Sequence, residues 1–86
     1  PASDVKDSLK DRVDEVNPVE TPKTDAEKAA EELVKAAETA EEKAQEALDK
    51  ANEDSSITPE EKAAIEKANE DVKKAKEKAA EAVDDL

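Results

Sequence analysis

Few side-chain types in this 86-residue sequence could do chemistry, and the most abundant of them are carboxylates, 26 in all. Between residues 50 and 61 their spacing approaches that of a helix–loop–helix calcium site. Asn52, Asp54 and Ser56 fall at ligand positions three, five and seven, Ile57 at the hydrophobic eighth and Glu61 at the twelfth. Lys50 stands at position one, where its charge repels a cation, and Ser55 at position six, where the sharp turn wants Gly. Helix capping accounts for the same residues: Asn52, Asp54 and Ser55 end one helix, and Thr58 and Glu61 begin the next. The expected metal site is therefore none, with weak calcium binding by the degenerate 50–61 loop left open.

The rest of the composition closes off most other chemistry. With no His, Cys, Tyr, Trp, Phe or Met, the chain lacks imidazole bases, thiol nucleophiles, soft metal ligands and stacking platforms. Carboxylate pairs suited to glycoside hydrolysis cannot be singled out, because 26 Asp and Glu on helices create pairs at every separation. No catalytic and no cofactor-binding residue is expected, and the chain is not expected to be an enzyme. Arg12, the one Arg, sits among acidic neighbours and reads as a solvated or locally paired charge. A net charge of −12 repels nucleic-acid phosphates and anionic headgroups, and the Lys residues alternate with Glu instead of forming a basic patch. Neither nucleic acid nor membrane insertion is expected.

Charged residues at 47% beside 35% hydrophobic ones, mostly Ala, approach the composition of disordered chains. Local propensity points the other way. There is no Gly, Pro is confined to positions 1, 18, 22 and 59, and Ala, Glu and Lys dominate the remainder, which predicts helix. A short helix is expected over about 3–16, with Ser3 as N-cap, Asp4 and Asp7 near the positive end of the dipole, and Ala2, Val5, Leu9, Val13 and Val16 at helical spacing. Residues 17–23 (NPVETPK) form a Pro-containing linker, since each Pro disfavours helix at the residue before it. Stretched out, such a linker reaches roughly 23 Å, so it does not force its flanking helices together.

Two long helices follow. The first, about 25–54, opens on a capping box, Thr24-Asp25-Ala26-Glu27, and carries Ala26, Ala30, Leu33, Ala37, Ala40, Ala44, Ala47 and Ala51 at alternating steps of four and three. Val34, Ala36 and Leu48 widen that seam. The second, about 59–86, opens on Thr58-Pro59-Glu60-Glu61 and repeats the pattern at Ile65, Ala68, Val72, Ala75, Ala79, Ala82 and Leu86. Together, as residues 24–86, they predict an antiparallel alanine-rich hairpin. The fold class is all-α, a three-helix bundle in which the short helix, richest in large aliphatics, is the natural third member. Glu31–Lys35, Glu46–Lys50 and Glu70–Lys74 are each spaced for a surface ion pair.

These features carry a resemblance. The turn SSITPEEKAAIEKAN (Ser55–Asn69), the ending AVDDL (Ala82–Leu86) and the short segment PASDVKDSLKDRVDEV (Pro1–Val16) resemble the GA-like and related three-helix repeats of giant cell-wall-anchored bacterial adhesins and biofilm-associated surface proteins. Recurring in such repeats are the turn found here as Ile57–Lys62 and the helix motif found here as Asp7–Asp14. The resemblance covers almost the whole chain and brings no binding residue with it. It implies one module, 1–86, of a tandem array: a non-catalytic spacer in an extracellular, wall-anchored stalk, whose partners are neighbouring repeats of the same chain. The alternative is a three-helix module that captures a host extracellular protein of the serum albumin type. Lack of aromatic residues favours the spacer, because binding hot spots are rich in them.

Independently of the resemblance, writing the sequence after itself gives AVDDL-PASDVKDSL, a short polar connection with Pro just before a Ser. The native unit therefore begins either at Pro1 or near Thr24. In the second case its short helix comes from whatever follows Leu86, and residues 1–16 belong to a preceding unit and should dock poorly on their own hairpin.

Overall fold

A computed structural model describes residues 2–86; Pro1, and with it a unit boundary placed there, lies outside the described residues. Three helices follow in order: α1, Ala2–Asp14; α2, Asp25–Ala51; and α3, Pro59–Asp84. There is no strand among the described residues, so the chain is all-α as expected.

Both long helices start where their capping boxes put them. Thr24 has an extended backbone, its hydroxyl accepts the Glu27 N–H at 3.1 Å, and its own N–H donates to Glu27 Oε1 at 2.8 Å. Thr58 and Glu61 repeat the arrangement at the same two distances, with Pro59 at the first helical position, where no N–H is needed.

The C-terminal ends come earlier than the spacing alone suggests. α2 stops at Ala51 rather than Asp54, because Asn52 caps it with an N–H to the Leu48 carbonyl at 3.0 Å and Asp54 Oδ1 accepts the Ser56 N–H at 3.0 Å. Short polar side chains here compete with the helix for backbone donors. α3 stops at Asp84, capped by Asp85. α1 stops at Asp14: Val16 bonds back three residues to Val13, and the Asn17 side-chain amide donates to the Glu15 carbonyl at 3.3 Å. At its other end α1 begins at Ala2, so Ser3 lies inside the first turn and is not the N-cap.

α2 and α3 pack along the predicted seam as an antiparallel pair. One shallow groove between them is lined by Ala44 and Leu48 of α2 with Ile65 and Val72 of α3; further along, Leu33 of α2 lies near Ala82 of α3. Ala30, Ala44, Ala51 and Ala79 are the buried side chains among the described residues. Leu33, Ala37, Ala40, Ala47, Ile65, Ala68, Val72, Ala75 and Ala82 are half-buried, as the three-four spacing requires. Ala26 and Leu86, the first and last positions of the seam, are the exceptions and are exposed. With Leu33 opposite Ala82, antiparallel register carries Ala26 past the last turn of α3, where nothing faces it.

α1 does not complete a bundle. Every described residue of it is exposed, and helix-to-helix packing is confined to α2 with α3. The Cα trace spans 75 × 38 × 13 Å, too thin for a third helix stacked on the pair. The physical reason lies in residues 15–24, a non-helical stretch with Pro18 and Pro22 that lets α1 lead away from the hairpin.

Candidate functional site

Nothing among the described residues gathers three or more His, Cys, Asp or Glu into a metal-holding group. The carboxylates of the degenerate loop are engaged by backbone. Asp54 Oδ1 accepts the Ser56 N–H, Glu61 Oε1 accepts the Thr58 N–H, and Asn52 lies in the C-cap of α2. Capping thus positions the residues that the calcium-like spacing singles out, and the Lys50 ammonium belongs to the last turn of α2, where it complements the helix dipole.

Two carboxyls sit below their ordinary range. Glu27 is lowered first by the hydrogen bond from the Thr24 backbone and then by its side chain, and Glu31 by the hydrogen bond from Lys23 and the charge behind it. Lys23, the last residue of the linker, reaches eight residues on to Glu31 and pins the linker to the first turns of α2. Helical spacing does not reveal this contact, since Lys23 lies outside the helix. Of the pairs expected at i, i+4, Glu31–Lys35 forms at 3.8 Å. Lys35 also reaches Glu32 at 3.5 Å, Glu70 pairs with Lys73 instead of Lys74, and Glu46 and Lys50 are not paired. All these side chains are largely solvated, so each pair contributes little to stability.

The feature that geometry leaves for interaction is the aliphatic face of α1. Val5, Leu9 and Val13, with Val16 just past the end of the helix, are 60, 50, 69 and 78% exposed, an unusual amount of apolar surface for so charged a chain. Lys6, Lys10 and Asp14 border Val5, Leu9 and Val13, and Arg12 borders Leu9, Val13 and Val16. The hairpin presents a weaker counterpart: Val34, Leu48 and Val83 are 37, 39 and 48% exposed beside the alanine seam. No helix among the described residues is long and apolar enough to cross a membrane.

A helical hairpin held by alanines and a separate amphipathic helix define the class as a small all-helical module. The family model of the GA-like domain matches residues 27–86, from the first turn of α2 through α3, and the chain belongs to that family. α1 and the linker lie outside the matched span. No curated protein and no solved structure matches the chain.

Proposed function

We propose that this chain is a non-catalytic spacer module of an extracellular, wall-anchored bacterial surface protein, repeated in tandem with neighbouring copies. The observation that carries the reading is the hairpin itself. At 1.5 Å per residue, α2 and α3 are each about 40 Å long, and they are joined by a tight connection capped on both sides. Such a unit gives length and stiffness from few large side chains. Its acidic surface favours solubility of closely spaced copies.

Membership of the GA-like family favours a second reading, capture of a host extracellular protein such as serum albumin. The composition weighs against it: there is no aromatic anchor, and the hairpin's own exposed aliphatics are few. A pull-down from serum on the immobilised full chain separates the two. The spacer reading expects no host protein at stoichiometric yield; recovery of one, lost on substituting α1 or hairpin aliphatics, would replace it with the binding role.

A further inference from the structure

The chain carries two uncovered apolar faces that do not cover each other. We propose that in a tandem array α1 of each copy docks on the hairpin of the copy before it, antiparallel to that copy's α3, so that each three-helix unit is completed by its successor. The inference deepens the spacer reading and rests on its premise that copies follow one another in one chain.

Three observations choose this occupant. First, the family match begins at residue 27 and leaves α1 outside, while α1 stands clear of its own hairpin. Placed directly after Leu86, the same helix follows α3 across a connection of Asp85, Leu86 and Pro1, short enough to turn it back along α3. The route from α1 to its own α2 runs through ten residues with two prolines, and no such constraint acts there.

Second, the receiving surface lies at the end where that helix would arrive. Glu41 and Leu48 of α2 line one groove with Asn69 of α3. Two heptads before Leu48 stands Val34, and two heptads after Asn69 stands Val83, so both continue the same flank toward the open end of the hairpin. Val34 and Val83 are over a third exposed there, beside the half-buried Leu33 and Ala82. A helix of 13 residues, about 20 Å long, covers about half the hairpin and matches this aliphatic end.

Third, charge is complementary. Residues 25–86 hold 20 Asp and Glu against 10 Lys, whereas the α1 stripe is bordered by three cations, Lys6, Lys10 and Arg12, and one carboxylate, Asp14. Cations beside the apolar contact would approach an acidic hairpin.

The test is a head-to-tail fusion of two full chains, followed by thermal unfolding. The upper transition reports the first copy's hairpin, completed by the second copy's α1. Leu9→Asp in the second copy should lower that transition by roughly 5 °C or more, while Leu9→Asp in the first copy should leave it unchanged. Val83→Asp in the first copy should reproduce the loss, and combining it with the second-copy Leu9→Asp should add nothing further. Equal losses from either Leu9 substitution would show docking within each copy, and no loss from both, or simple additivity of Leu9 with Val83, would show no docking; each outcome overturns the proposal. Copies that ignore one another in this fusion would still serve as spacers, whereas stoichiometric capture of a serum protein would sink the spacer reading and leave the docking intact.

Discussion

At the residue scale, the side chains with most influence on structure are the four that form the two capping boxes. Each box satisfies two free backbone N–H groups, and in a chain with so little buried surface a cap is a large share of what holds a helix start in place. Thr58→Ala should cost about 1 kcal/mol in urea unfolding, while Ser55→Ala in the same connection should cost much less. An unchanged midpoint for Thr58→Ala would mean that the α3 cap is not under load. Glu27 gives a pH signature as well. Its folded-state pKa is lowered from 4.5, so its contribution is present above that value and is lost as pH falls through the folded pKa. Melting temperatures of wild type and Glu27→Gln should therefore differ at pH 7 and converge as pH drops below about 4.5. A gap that stays constant across that range would contradict the hydrogen-bonded carboxylate.

At the element scale, the seam was legible in sequence almost residue by residue, because an unbroken three-four alternation admits only one buried stripe on each helix. The N-terminal boundaries of α2 and α3 were equally legible, since Thr, Pro and Glu at fixed offsets name the first turn. The C-terminal boundaries were not. Without Gly to end a helix, Asn52, Asp54 and Asp85 decide the stop by side-chain and cap hydrogen bonds whose outcome spacing does not encode. Nor could the pattern of Val5, Leu9, Val13 and Val16 say what it packs on: an amphipathic stripe fixes that a face wants cover, not which surface supplies it. Docking on its own hairpin was the simpler expectation, and the structure leaves that face open. In the single chain, Leu9→Asp should thus leave the thermal midpoint of the hairpin unchanged. A drop of several degrees would show that α1 packs on α2 and α3 of the same molecule.

At the scale of the whole molecule, two forces compete. Net charge of −12 on a flat molecule with an all-alanine set of buried side chains favours expansion, and the surface ion pairs oppose it only weakly because they are solvated. Moderate salt should raise the melting temperature by screening like charges. A fall on adding salt would mean that specific pairs, Lys23 with Glu31 foremost, outweigh the net repulsion. The functional account depends on how copies add. A spacer gains length with every copy; a cluster of modules does not. Small-angle scattering from one-, two- and three-copy head-to-tail chains measures this directly. The account predicts a maximum dimension that rises by roughly 40 Å per copy, the length of one hairpin helix. A dimension that stays near that of the single chain, with copies gathered side by side, would contradict it.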